Sequence, residues 1–161
     1  KERKFYPDGN LTLRIAHGKV EGYEVRDGVR YEYFTTLAGI MEKRNQDIED
    51  YKIPERLAEL YLQKDYGAYA DASGSLRTCF VASNHTTGGN SGSPVIDSLG
   101  NLIGINFDRV WEGTMSDINY DPSICRNIMV DIRYVMFIVD KFAEAKNLIA
   151  EMKFVSKTGK K

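Results

Sequence analysis

Histidine is scarce in this chain: two occur among 161 residues, His17 and His85. There are also only two cysteines, Cys79 and Cys125. No Cys/His cluster has the spacing of a zinc site, so neither metal nor cofactor is expected. Two cysteines make no disulfide framework either. They can pair in an oxidising compartment or remain as free, buried thiols, and free thiols are the expectation. An excess of charge of either sign is lacking as well. The 22 basic and 23 acidic residues leave a net charge of -1, so nothing in the charge suggests a nucleic-acid partner. No apolar run reaches the ~18 residues of a membrane-spanning helix. The nearest, Tyr134 to Val139, is short and flanked by Arg133 and Asp140. Neither an initiator methionine nor a secretory leader is visible, and Lys1-Glu2-Arg3-Lys4 leads straight into apparent structure. The expectation is one domain-sized segment cut from something larger. No internal repeat or low-complexity stretch interrupts it.

What is present centres on Thr87-Gly88-Gly89-Asn90-Ser91-Gly92-Ser93-Pro94-Val95. Glycines give a backbone access to φ > 0, which can turn the Gly89 and Ser91 amides toward one point. Paired amides of that kind stabilise the negative charge that develops on an attacked carbonyl. Ser91 is therefore a candidate nucleophile, and Gly89 a candidate oxyanion donor. The plainer reading is a Gly-rich hairpin loop that needs tight turns. A phosphate-cradling loop is weaker still, because no lysine follows the last glycine. Serine is a weak nucleophile without a base, and the base needs an orienting group. The shortage of histidine thus bears directly on function.

Periodicity places the remaining elements. Tyr6 to Asn10 is a turn signal, and Leu11 to Ile15 alternates apolar and polar residues as a strand does. Val20–Val25 and Val29–Thr36 are further strands about an Asp27-Gly28 turn. Thr36 to Lys43 is a short helix or bend. Ile53, Leu57, Leu60 and Tyr61 form one apolar stripe, so a helix is expected near 54–64 with Pro54 at its start. A strand at Cys79–Ser83 leads into the serine loop. Pro94–Asp97 and Leu102–Phe107 form a hairpin. Residues 111–125 are irregular, and Asn127–Val130 is a last strand. Residues 132–152 are helical, with a break near Phe142-Ala143.

The stretch Leu102-Ile103-Gly104-Ile105-Asn106-Phe107-Asp108-Arg109-Val110-Trp111-Glu112-Gly113-Thr114 resembles the specificity strand of the bacterial dipeptidyl-peptidases 7 and 11. Those are serine exopeptidases with a chymotrypsin-type catalytic domain and an inserted helical domain. The resemblance extends through Phe5-Tyr6-Pro7-Asp8, Pro54-Glu55-Arg56-Leu57, Tyr120-Asp121-Pro122, Arg126-Asn127-Ile128 and Asp131-Ile132-Arg133-Tyr134. It covers nearly the whole chain and is strongest to the branch that prefers an acidic P1, the residue before the scissile bond. It implies a mainly β fold with helices, the C-terminal part of a chymotrypsin-like double β-barrel. Residues 1–130 would be mostly barrel, 131–155 helical and 156–161 a tail, in one segment. It implies bacterial origin and a periplasmic or cell-surface location.

By the same resemblance Ser91 is the nucleophile, and Gly89 with Ser91 supplies the oxyanion amides. Asp108 holds the substrate's free α-amine, Phe107 walls the site, and Arg109 selects P1 where the broader branch carries glycine. The chemistry agrees. A guanidinium holds a carboxylate through two parallel charge-assisted bonds, and an apolar P1 would leave its charge unpaired. An isolated Asp-Arg pair would more often be a solvated surface pair. Adjacent strand residues point to opposite faces, so both can serve one pocket only if the strand bends, bulges or ends near Asp108.

The family's histidine and aspartate motifs are not in this chain. His17 reads as a strand or turn histidine and His85 as a loop histidine. The partners expected are peptides with a free N-terminus and the missing N-terminal catalytic and helical regions. A homodimer is a further expectation, since half of a two-barrel core leaves apolar surface uncovered. The segment alone should be inert or nearly so. Two other functions compete: a glutamyl endopeptidase-like protease, whose histidine after the serine has no counterpart at Asn106, and a non-catalytic peptide-binding module.

Overall fold

The computed structural model describes residues 11–44 and 46–155. The turn expected at Tyr6–Asn10, the Phe5–Asp8 match and the tail at 156–161 lie outside those residues. Strands β1 (Tyr23–Arg26) and β2 (Val29–Tyr31) form the expected hairpin, a two-stranded sheet. Its turn is Asp27-Gly28, and Gly28 has φ +74°, a conformation that favours glycine. Strands β3 (Phe34–Thr36), β4 (Arg77–Ala82), β5 (Pro94–Ile96), β6 (Leu102–Arg109) and β7 (Asn127–Asp131) build the main sheet. All its neighbours are antiparallel, in the order β3-β4-β7-β6-β5.

Alternation along β4 buries Thr78, Phe80 and Ala82 on one face. Phe80 and Ala82 join Met129 of β7 in a small core, against which Val95 and Ile103 pack. Gly104 is required there: a Cβ would stand 2.7 Å from the Val130 carbonyl oxygen and 2.8 Å from the Phe80 ring.

A larger core lies among the helices α1 (Leu37–Lys43), α2 (Glu55–Gln63) and α3 (Ile132–Phe137) and the segment 66–76. It contains Leu37, Leu57, Leu60, Tyr66, Tyr69, Leu76 and Phe137, with Ile53 and Tyr61 packed against it. This is the stripe expected from the spacing at 53–61. Asp131 caps α3 by accepting from the Arg133 amide at 2.9 Å. A π-helical turn (Ile138–Phe142) continues α3, the helix is interrupted at 143–145, and α4 (Lys146–Glu151) follows.

Some expectations are corrected. Residues Leu11–Ile15 form no strand: they are irregular, and Leu11, Leu13 and Ile15 are exposed. Alternation prepares a strand to be half-buried but does not supply a partner. The stretch Val29–Thr36 is two strands in different sheets rather than one. The barrel expected over 1–130 is not closed among the described residues, because β3 and β5 lie at opposite edges of an open sheet. Both cysteines are free thiols, Cys125 buried and Cys79 half-buried on β4. No helix among the described residues is long and apolar enough to cross a membrane, and no group of three or more acidic, His or Cys side chains there could hold a metal ion.

Candidate functional site

The serine loop joins β4 to β5. Residues 87–90 make a turn in which the Asn90 amide donates to the Thr87 carbonyl at 3.2 Å. The Asn90 carboxamide oxygen accepts from the Thr87 amide at 3.0 Å. Gly89 and Gly92 bracket Ser91 with φ +93° and +83°, and these two positions are where glycine is needed for conformation. Among the described residues, neither the Gly89 nor the Ser91 amide donates to another protein group.

Strand β6 holds this loop. The Gly92 amide donates to the Asn106 carbonyl (2.8 Å), and the Asn106 amide to the Ser93 carbonyl (2.9 Å). The Ser91 hydroxyl is exposed and donates to the Phe107 carbonyl at 3.1 Å. Its proton thus rests on a carbonyl, not on a base. Beneath the loop runs a chain of buried carboxamides. Asn127 Nδ2 donates to Asn106 Oδ1 at 2.8 Å, and Asn106 Nδ2 donates to the Asn90 carbonyl at 3.1 Å. Asn127 Oδ1 is buried without a hydrogen-bond partner among the described residues.

The departure expected near Asp108 is present. Asn106 faces Met129, Asp108 faces Ile128, and Phe107 is the extra residue of a bulge between them. Phe107 and Asp108 are consecutively exposed, and Arg109 is half-buried at the strand's end. The Asp108 carboxylate accepts from the Arg109 amide at 2.7 Å.

Sequence reasoning missed what holds Arg109. Its Nη1 donates to Ser116 Oγ (2.7 Å) and to Asp117 Oδ1 (2.6 Å), and its Nη2 to Asp117 Oδ2 (3.0 Å). Both acceptors sit in a 3₁₀ segment, Trp111–Asp117, whose pattern had read simply as irregular. The hydrogen bond from Arg109 holds the Asp117 carboxyl below the ordinary range, and the same bond raises Arg109.

His85 braces that segment. Its Nε2 lies 3.0 Å from the Ser116 carbonyl oxygen. A carbonyl only accepts, so Nε2 carries the proton. The ring stacks on Tyr120 at 4.2 Å, and the Tyr120 hydroxyl donates to the Ser83 carbonyl at 2.7 Å. Burial, opposed by the Ser116 contact, pushes the His85 pKa down. His17 is exposed on irregular chain.

Arg126 lies near Arg109 but is held by backbone carbonyls, with the Glu21 carboxylate 3.6 Å away. It donates to the carbonyls of Glu21, Gly22, Pro122 and Cys125 at 2.8–3.3 Å. His85, Arg109, Ser116, Tyr120, Arg126 and Asn127 pack around one spot that leaves no room for a water molecule.

The sequence pattern of the Peptidase S46 family matches residues 1–154. An Asp/Glu-specific dipeptidyl-peptidase of Flavobacterium psychrophilum is 59% identical over 152 residues, which is 94% of this chain and 21% of that protein. A dipeptidyl-peptidase 7 of Phocaeicola vulgatus is 50% identical over 149 residues, 92% of this chain and 21% of that protein. The crystal structure of Porphyromonas endodontalis DPP11 superposes with a TM-score of 0.87 at 48% identity, covering 91% of this chain and 21% of that one. The chain thus spans about a fifth of the length of the curated relatives it matches. With the match running across nearly every described residue, this chain belongs to the peptidase S46 family.

Proposed function

We propose that this chain is the nucleophile-bearing part of a longer serine dipeptidyl-peptidase that releases N-terminal dipeptides with Asp or Glu at P1. Ser91 attacks the scissile carbonyl. The Gly89 and Ser91 amides receive the oxyanion, where each such donor contributes roughly 100- to 1000-fold. Asp108 takes the substrate's α-ammonium, Phe107 forms a wall, and Arg109 takes the P1 carboxylate. The spacing between amine anchor and carboxylate anchor measures out a dipeptide. The reading is carried by the bulge at Phe107, which sets Asp108 and Arg109 at the end of the strand whose Phe107 carbonyl holds the Ser91 hydroxyl. A periplasmic or cell-surface location belongs to the same proposal.

The base and its orienting carboxylate belong to the rest of the peptidase. His17 is solvent-exposed, and the His85 ring is committed to Ser116 and Tyr120. Loss of a triad member costs several orders of magnitude, so the isolated segment should be inert.

The test uses a fluorogenic Leu-Asp amide and the full-length peptidase carrying this segment. Cleavage should require a free N-terminus and vanish in Ser91→Ala. Arg109→Gly should abolish the preference for an acidic P1. Equal cleavage of the N-acetylated peptide would point to an endopeptidase and sink the exopeptidase reading. Failure of Ser91 to react with a serine-directed phosphonate would leave a non-catalytic binding module.

A further inference from the structure

Arg109 meets Asp117 end-on. Nη1 and Nη2 face the two carboxylate oxygens, and the second Nη1 proton goes to Ser116 Oγ. Three of the five guanidinium protons are thereby used. The two that remain, on Nε and on Nη2, lie side by side along the other edge of the same plane. Neither makes a further bond among the described residues. A guanidinium presents two bidentate edges, and this one has the end-on edge occupied and the side-on edge unbonded among the described residues.

We infer that Asp117, with Ser116, is a positioning residue for P1 selection: it clamps the end-on edge of Arg109 so that the side-on Nε/Nη2 edge faces the substrate carboxylate. The inference rests on Arg109 being the P1 reader. The mechanical reason lies in the side chain itself. Arginine has four rotatable bonds and about 2 kcal/mol of rotamer entropy. A clamp built into the protein removes that freedom before substrate arrives, which is the ordinary benefit of preorganisation. The clamp is supported in turn. Ser116 is buried, and its carbonyl is bonded by His85, whose ring lies on Tyr120.

A competing role would have the opposite sign. If Asp117 occupied the edge that substrate needs, it would be an intramolecular competitor, and removing it would improve turnover of acidic peptides. The two roles are separated by a graded series in the full-length peptidase: wild type, Asp117→Asn, which keeps one acceptor, and Asp117→Ala, which keeps none. Leu-Asp and Leu-Asn amides are the substrates. A neutral serine-directed phosphonate reports whether the Ser91 centre is intact without engaging P1.

The clamp predicts that kcat/KM on Leu-Asp falls stepwise, about 3-fold for Asn and about 10-fold for Ala, as expected for one side chain released from order. The loss should fall on KM, with kcat, Leu-Asn cleavage and phosphonate reactivity all within about twofold. In an Arg109→Ala background, changing Asp117 should leave the Leu-Asp to Leu-Asn ratio unmoved. A rise on Leu-Asp in the order Ala, Asn, wild type overturns the clamp in favour of competition. An equal fall on both substrates and on phosphonate reactivity overturns it in favour of simple structural support. If Arg109→Ala itself retains the acidic preference, the P1 assignment fails and the clamp with it. An intact Arg109 effect with no Asp117 effect refutes the clamp alone.

Discussion

Asn106 sits at the middle of the carboxamide chain, 6% exposed, and replacing it with alanine makes a quantitative forecast. The substitution keeps both backbone bonds to the serine loop and deletes only the side-chain links to Asn90 and Asn127. The Asn90 carbonyl still accepts from the Ser93 amide, so that end should lose about 1 kcal/mol. Asn127 fares worse. Its Oδ1 already lacks a partner, and its Nδ2 would become a second buried orphan, costing about 1–3 kcal/mol. The expected total is about 2–4 kcal/mol. Asn127→Ala should cost less, because it orphans Asn106 Oδ1 but removes an unpaired oxygen. The double variant leaves no orphan at that junction and should cost about 1–2 kcal/mol less than the sum of the singles. Urea unfolding followed by circular dichroism, with the m-value held constant, measures all three. Additivity within ~0.5 kcal/mol would refute the argument, since two side chains that do not need each other show no coupling.

Other expectations follow from burial and titration. Gly104→Ala should cost about 1–3 kcal/mol by overpacking, since its Cβ would meet both the Val130 carbonyl and the Phe80 ring. Trimming the ring as well, in a Phe80→Leu background, should reduce that penalty. Burial holds His85 below its ordinary pKa, so the unfolded chain binds protons more readily near pH 6. Stability should be full above about pH 6.5 and decline as pH falls toward the folded value. His85→Gln should flatten that limb of a stability-against-pH curve. The Asp71 carboxyl is held far below the usual range, first by the Ser73 hydroxyl and then by Arg77 and the Ser75 and Ser73 amides, against an opposing effect of burial. Its contribution should be present above about pH 3.9 and vanish only in stronger acid. Asp71→Asn should accordingly raise the midpoint pH of acid unfolding.

Local chemistry made some of this structure readable and left the rest dark. The serine loop, the β5–β6 hairpin and helix α2 rest on features a few residues apart: glycines at φ > 0, alternation, and a stripe at helical spacing. The departure from regular strand at Phe107 was also legible, because the resemblance assigned the neighbouring Asp108 and Arg109 to one site, which an undistorted strand would not allow. Leu11–Ile15 misled because alternation speaks of preference and the partner strand is a matter of tertiary structure. The Asn90–Asn106–Asn127 chain and the Arg109–Asp117 clamp were invisible for another reason. Asparagine and aspartate are ordinary surface and turn residues. Only the pairing of β6 with β7, and the curl of residues 111–117 back over the strand's end, bring these side chains into contact.

The bulge also has a consequence for how such a protein can diversify. It divides β6 into two lengths of ladder with different phase. One length, around Gly104 and Asn106, supports the serine loop; the other carries exposed Asp108 and half-buried Arg109, which bonds Ser116 and Asp117. A kink between them works like a joint in a tool, with the handle on one side and an exchangeable bit on the other. Position 109 lies beyond the kink, so its side-chain bonds and the ladder bonds that hold the serine loop belong to separate lengths of the strand. Relatives bearing two different peptidase names match most of this chain, at 59% and 50% identity.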